Sequence, residues 1–300
     1  MTDQKTHCGL VAVIGAPNAG KSTLVNQLVG QKVAITSAKA QTTRARMLGI
    51  ALHGDTQMVL VDTPGIFAPR RKLDRAMVSA AWDGADSADA VLLMVDPVKQ
   101  RRHELEPLVE ALANRPERKI LVLNKVDTAK KEPLLALAQE LGEKVEFSEI
   151  FFVSALTGDG VPELKEALAA MMPEGPWMYP EDQVSDASER LLATEITREQ
   201  LYRQLHEELP YDSAVRPEKY IQRSDGSVEI HQQIVVMRDN QRAIVLGKGG
   251  SRIKAIGQAA REELSELLAQ KVHLFLHVKT DERWSEDKEI YEEMGLEWRG

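Results

Sequence analysis

The stretch "GAPNAGKST" at residues 15–23 decides the fold. It fits G-x-x-x-x-G-K-[ST] over Gly15–Ser22 and lies between an apolar run, "LVAVIG" (10–15), and a segment of helical spacing, 21–29. Gly15 and Gly20 bracket a loop of Ala16, Pro17, Asn18 and Ala19. Such a loop turns backbone N–H groups inward around a phosphate, and the following helix adds its positive dipole end. Lys21 is placed to reach β and γ oxygens and Ser22 to ligate Mg²⁺, with Thr23 carrying the loop into the helix.

The pattern repeats outward from that loop. "MVLVDTPG" (58–65), "VLLMVD" (91–96), "KILVLNK" (119–125) and "IFFVSA" (150–155) are short runs rich in β-branched residues. Each reads as a strand buried on both faces, as parallel strands are. Helix-like segments lie between them at 73–82, 104–113, 131–141 and 162–171, and "MLGIALHG" (47–54) reads as an antiparallel edge strand. Strands alternating with helices predict an α/β, mostly parallel, doubly wound sheet.

Three further motifs end strands of this sheet. In "VDTPG" (61–65), Asp62 is placed to hold the Mg²⁺ shell and the Gly65 N–H to sense a γ-phosphate; Asp-Thr-Pro-Gly, with Thr63 and Pro64 at its centre, is also a good turn. In "NKVD" (124–127), the Asp127 carboxylate can accept from guanine N1–H and the 2-amino group, which adenine cannot offer. Asn124 braces the loops, the Lys125 stem lies along the base, and Val126 spaces the two. "VSAL" (153–156) follows Ser154 with an Ala155 N–H expected at guanine O6. In this order the motifs resemble the translation-factor-like class of P-loop GTPases. The resemblance makes "QTTRA" (41–45) a switch segment, with Thr43, or else Thr42, sensing Mg²⁺. It also exposes a departure: Ras-like enzymes carry a water-orienting Gln after D-x-x-G, and here that position is Ile66. Hydrolysis by the isolated protein is expected to be slow. Asn18 resembles the asparagine by which some related GTPases hold K⁺ at the phosphates; a loop-shaping Asx turn is the equally weighted alternative.

Composition bounds the rest. Of 300 residues 43% are apolar and 28% charged, which suits an ordinary soluble globular protein. No apolar run is long enough for a membrane span, and the N-terminus lacks the pattern of a secretory signal. The single Cys8 excludes an internal disulfide and reads as structural. The net charge of −8 argues against a global field for nucleic acid, and residues 181–300, with 17 Lys+Arg against 24 Asp+Glu, are the more acidic part. Any nucleic-acid site must be a local patch.

Such a patch exists. "MMPEGPWMYPEDQVSD" (171–186), with three prolines and a glycine, reads as a linker, giving domains at 1–172 and 187–300 joined by 173–186. Beyond it come a helix over 188–209, strands at 219–226 and 227–238 with an Asp225-Gly226 hairpin signal, a second glycine loop, a helix over 251–269 and a last strand "KVHLFLHVK". The second loop, Gly247-Lys248-Gly249-Gly250, lacks the Ser/Thr and spacing of a nucleotide loop. It fits G-x-x-G, whose bare backbone presses against a single-stranded sugar-phosphate chain. Five cations, Arg238, Arg242, Lys248, Arg252 and Lys254, surround it against one acid, Asp239. With the α-β-β-α-α-β order this resembles an α+β type II KH domain. The two glycine loops thus hold different phosphates, one a free nucleotide and the other a nucleic-acid backbone.

"TSAKAQTTRARMLGI", "VDTPGIF", "ELPY" and "VLGKGGSRIKAIGQAARE", in a GTPase domain followed by a KH domain, resemble the Era family of bacterial ribosome-assembly GTPases over nearly the whole chain. The resemblance implies GTP/GDP and Mg²⁺ as ligands and binding to 16S rRNA near its 3′ end during 30S subunit maturation. It also implies a cytoplasmic monomer partly associated with the membrane surface. The acidic tail "TDERWSEDKEIYEEMGLEWRG" offers no membrane anchor and reads as a solvated helix. A GTP-regulated adaptor that binds protein, and a GTPase of transfer-RNA modification, are the competing readings. The basic loop disfavours the first, and the second resembles the chain only over its GTPase half.

Overall fold

In the computed structural model of the chain, which describes residues 5–298 apart from 38, 40, 45, 70, 207 and 208, the run before the first glycine loop forms strand β1 (His7–Gly15). Val11 and Val13 enter one core, Ala12 and Ile14 the other, and all four are fully buried. A strand apolar on both faces belongs inside a sheet. β1 pairs in parallel with β3 (Thr56–Asp62) and β4 (Ala90–Val95). β5 (Arg118–Leu123) and β6 (Glu149–Phe152) continue in parallel. The antiparallel edge expected at 47–54 is β2 (Met47–His53), and the order is β2-β3-β1-β4-β5-β6.

Helices α1 (Lys21–Val29) and α5 (Val161–Met171) cover the face of Val11 and Val13. α2 (Lys72–Asp86), α3 (Arg102–Ala113) and α4 (Lys131–Lys144) cover the other. α2 runs beyond the expected 73–82 because Ala81 and Ala85, one turn apart, continue its buried stripe. No helix among the described residues is long and apolar enough to cross a membrane.

The chain divides into two units, Met1–Asp186 and Ala187–Gly300. The proline-rich stretch 173–186 therefore belongs with the first unit, and its hydrogen bonds show how. Cys8 N–H donates to Pro173 O (3.0 Å), Ile50 N–H to Val184 O (2.8 Å), and Ser185 Oγ to Leu48 O (2.8 Å). The strap crosses the edge of β2 and is clamped by Gln57 of β3, which is fully buried. Gln57 Oε1 accepts from Met178 N–H (2.9 Å) and Tyr179 N–H (3.0 Å), and Nε2 donates to Tyr179 O (2.8 Å). Replacing Gln57 with Leu orphans these backbone groups at once. The expected cost is about 2–4 kcal/mol, since each buried polar group left unpaired costs ~1–3 kcal/mol. Urea unfolding would read it, and limited proteolysis should then cut within 173–186.

The second unit follows the expected order α-β-β-α-α-β: α6 (Glu189–Gln204), β7 (Ser213–Gln222), β8 (Val228–Val236), α7 (Asp239–Leu246), α8 (Ser251–Leu267) and β9 (Val272–Thr280). β7 and β8 are antiparallel, β8 and β9 parallel. Three expectations need correction. α6 ends at Gln204 rather than near 209: Leu205 is extended and buried, and Pro210 bars helix at the residue before it. Residues 207 and 208 of that expected helix lie outside the described residues. β7 starts at Ser213, not Lys219, because an edge strand tolerates Pro217, with a register shift between Pro217 and Lys219. The tail is not a solvated helix. Trp284, Ile290, Tyr291 and Leu296 are buried along a short turn and α9 (Lys288–Glu293). Its acids Asp287, Glu289 and Glu293 gather on Arg216 of β7.

Candidate nucleotide site and glycine-loop surface

Parallel strands bring their C-terminal ends to one edge of a sheet, where α/β proteins bind ligands. Gly15, Asp62, Asn124 and Ser154 end or follow β1, β3, β5 and β6, so all four motifs of the first unit meet there. A pocket opens between the first glycine loop, the segment around Thr43 and Gly65; Pro17, Asn18, Gly20, Lys21, Ser22 and Thr23 line one side.

Lys21 is buried, and its Nζ donates to Gly15 O (3.2 Å) and Ala16 O (3.1 Å). Burial pushes its ammonium down to about 8, against the pull of the Asp62 carboxylate. Beside it, Ser22 Oγ donates to Asp62 Oδ2 (2.7 Å) and lies 2.8 Å from Thr43 Oγ1. Thr43 Oγ1 in turn lies 3.3 Å from Asp62 Oδ2. Two hydroxyls and a carboxylate are hard oxygen donors, the set that suits Mg²⁺ completed by phosphate and water. The geometry also separates the two threonines: Thr42 Oγ1 donates to Lys39 O (2.8 Å), away from the cluster. Ala45, at the end of the expected switch motif, lies outside the described residues.

The D-x-x-G loop is pinned to the phosphate loop. Ile66 N–H donates to Gly15 O (3.0 Å), Thr63 Oγ1 donates to Val13 O (2.7 Å), and Gly65 lies directly against Pro17. Asn26 of α1 has no place in the sequence reading, yet it fixes the chain at Val33 and Ala34, just beyond α1. Its Oδ1 accepts from Val33 and Ala34 N–H (both 2.9 Å), and its Nδ2 donates to Ala34 O (2.8 Å).

At the base-selecting end, Asn124 Nδ2 donates to Ala19 O (2.7 Å), the expected brace. Its Oδ1 accepts from the Ala155 N–H (2.9 Å). The Ala155 N–H is thus hydrogen-bonded within the protein, to the buried Asn124 oxygen. Val126 N–H donates to Val153 O (3.2 Å), and Ser154 is fully buried beneath the loop. Asp127 is exposed in the loop that follows β5. Lys125 Nζ donates to Asn18 O (2.8 Å) and to Asp96 Oδ2 (2.6 Å). Burial alone would raise the Asp96 carboxyl; the hydrogen bonds from Lys125, Lys99 and Val98 outweigh it and hold the group below its ordinary range.

In the second unit, α7 ends at Gly247, whose φ of 71° and whose absent Cβ, 2.8 Å from Arg252 Cβ, both require glycine. Lys248 and Gly249 are exposed at the tip, and α8 starts at Ser251, just past Gly250. Arg242 Nε donates to Val278 O (3.2 Å) and Arg252 Nη1 to Ile244 O (3.4 Å), so these two cations also support the loop's surroundings. Arg238, Lys248 and Lys254 are exposed. Ile244, 47% exposed, adds an apolar face among the cations that charge counting passes over.

Comparison with known proteins agrees with this division. The model of the 50S ribosome-binding GTPase family matches residues 10–125, and the KH domain model matches residues 208–285. GTPase Era of Erythrobacter litoralis (strain HTCC2594) is 80% identical over 302 residues, covering 99% of both chains. GTPase Era of Afipia carboxidovorans is 57% identical over 98% of this chain and 95% of its own. A solved structure of Era in complex with MgGDPNP and nucleotides 1506–1542 of 16S ribosomal RNA superposes with a TM-score of 0.91 at 36% identity, covering 97% of this chain and 99% of that one. A single-site variant of Aquifex aeolicus Era bound to GDP.AlF4- gives the same TM-score and identity. With a nucleotide-type pocket in one unit, a glycine-loop KH arrangement in the other, and full-length likeness of this degree, the chain belongs to the Era family of GTPases.

Proposed function

We propose that this chain is a monomeric GTP-hydrolysing switch that binds 16S rRNA near its 3′ end and assists 30S subunit maturation. The observation that carries the reading is the convergence of Ser22, Thr43 and Asp62 oxygens, 2.7–3.3 Å apart, beside the buried Lys21. That cluster joins the phosphate loop, the switch segment and the D-x-x-G loop in one place. Ser22, Thr43 and Asp62 would hold Mg²⁺ there, and the ion would neutralise phosphate charge. Lys21 opposes the remaining phosphate charge, the Gly65 N–H meets the γ-phosphate, and Asp127 selects guanine. Ile66 is buried and apolar, so it cannot orient a water, and turnover by the isolated protein is slow. Asn18 lines the pocket in the left-handed conformation (φ 63°), and K⁺ held by Asn18 at the phosphates is part of this reading. Equal turnover in K⁺ and Na⁺ buffers would remove that part alone.

The RNA half rests on the exposed Lys248-Gly249 tip among Arg238, Arg242, Arg252 and Lys254, and on the neighbour solved with a 16S rRNA segment. The test is a titration of short single-stranded RNAs, one carrying the 16S 3′-end sequence, in GTP-analogue and GDP states. Lys248→Asp with Gly249→Asp reverses the charge at the tip. A Cβ at Gly249 meets nothing within 4 Å, and the strain of Asp at its φ of 61° is about 1–2 kcal/mol, so the fold should survive. Binding in the GTP state, weaker with GDP, should fall about 100-fold or more in the double variant, because phosphate contacts dominate such affinity. Unchanged affinity would move the site elsewhere. No RNA binding by the unaltered protein would favour the adaptor reading.

A further inference from the structure

Asn18 of the phosphate loop and Lys125 of the base loop both hold left-handed backbone, with φ of 63° and 62°. That conformation is unfavourable for side chains with a Cβ and persists only where the surroundings enforce it. The enforcing contact is visible. Lys125 Nζ spans from the base loop to the carbonyl of Asn18 in the phosphate loop, and its other partner is Asp96. Asp96 follows the end of β4, a strand that carries no nucleotide motif, and its side chain is buried. Its second oxygen accepts from Val98 N–H (2.9 Å) and Lys99 N–H (3.0 Å), which fixes the carboxylate before it meets the lysine. The Asp96 N–H donates to Gln100 Oε1 (3.2 Å), closing the turn from the other side. The next strand is tied in as well, since Asn124 N–H donates to Val95 O (2.9 Å).

We infer that Asp96 is a positioning residue for guanine recognition, acting through Lys125 to hold the base loop at a fixed distance from the phosphate loop. The inference rests on the nucleotide reading of this pocket and deepens it. A nucleotide bridges the two loops, so its affinity depends on both being in place at once. A rigid carboxylate anchor for the lysine supplies that without touching the nucleotide. Nothing local in the sequence marks it, because the aspartate lies 29 residues before the lysine at the end of a different strand.

The test uses the full chain and fluorescent GDP and inosine diphosphate, which lacks the 2-amino group. Asp96→Asn keeps an oxygen for Val98 and Lys99 but removes the charge facing Lys125. GDP dissociation should speed up about tenfold, and the preference for GDP over inosine diphosphate should shrink by a similar factor, as expected when the Asp127 contact loses alignment. In a Lys125→Met background the same change should add less than about twofold, because residues acting through one contact are not additive. A lower melting temperature with an unchanged GDP preference would overturn the inference, as would a full effect of Asp96→Asn in the Lys125→Met background. If the unaltered protein fails to prefer GDP over ADP, the nucleotide reading itself fails; if it prefers GDP and Asp96→Asn does so to the same degree, only this inference fails.

Discussion

Asp127→Asn should lower affinity for GDP by about 10³- to 10⁴-fold and give the protein affinity for xanthosine diphosphate. A carboxylate offers two acceptors, and guanine answers with N1–H and the 2-amino group. An amide keeps one acceptor and replaces the other with an N–H₂ donor, which then faces the 2-amino group. Two donors meet, and neither is satisfied by the other. Polar mismatches of this kind cost on the order of 10⁴-fold where a pocket was built to pair. Xanthine carries a carbonyl in place of the 2-amino group, so the amide donor finds an acceptor while its oxygen still takes the N1–H. The effect should be confined to the base. Lys21 and Ser22 line the pocket at the first glycine loop, Asp62 is bonded to Ser22, and Asp127 is exposed, so stability should be unaltered. Equilibrium titrations with labelled GDP and XDP give the answer. Retained GDP affinity, with no gain for XDP, would mean that Asp127 does not meet the base.

The residues legible in the sequence are those whose chemistry is tied to a local pattern. The phosphate loop is readable because nine consecutive residues, 15–23, carry strand end, loop and helix start together. Asp62 is readable because it closes a strand that shows as an apolar run, and Asp127 because its motif begins where such a strand ends. The residues that escape such a reading act across the fold. Gln57 looks like a polar interruption in β3, yet it clamps the strap at Met178 and Tyr179, over 120 residues away. Asn26 and Asp96 sit in a helix and after a strand with nothing local to mark them. Ala155 shows the same limit from the other side. Its motif points its N–H at a base, but whether Asn124 takes that N–H depends on packing between two loops. The tail misleads because acid density hides a sparse apolar set, Trp284, Ile290, Tyr291 and Leu296, that docks on its own unit. The start of β7 is obscured because Pro217 breaks a strand pattern unless the strand lies at an edge, and edge position is a property of the sheet.

Gly65→Ala should separate binding from hydrolysis. A Cβ built at Gly65 would lie 2.8 Å from the Pro17 backbone nitrogen and Cα, closer than any real Cβ contact. Neither neighbour is a side chain that can swing away, so the D-x-x-G loop must retreat from the phosphate loop. The retreat carries the residue-65 N–H away from the γ-phosphate position. It also strains the bond from Ile66 N–H to Gly15 O, which holds the two loops together. GDP does not reach this contact, so its affinity should stay within about threefold of the unaltered protein, while hydrolysis falls about 100-fold, the usual loss for one transition-state donor. The loss should be no smaller than in enzymes with a glutamine here, because Ile66 leaves this loop no side-chain donor to compensate. Single-turnover hydrolysis at saturating GTP, run beside GDP titrations, separates the outcomes. Equal loss of GDP binding would show that the methyl disrupts the whole phosphate loop. Hydrolysis close to that of the unaltered protein would show that the loop retreats at no cost, and that the Gly65 N–H does not meet the reacting phosphate.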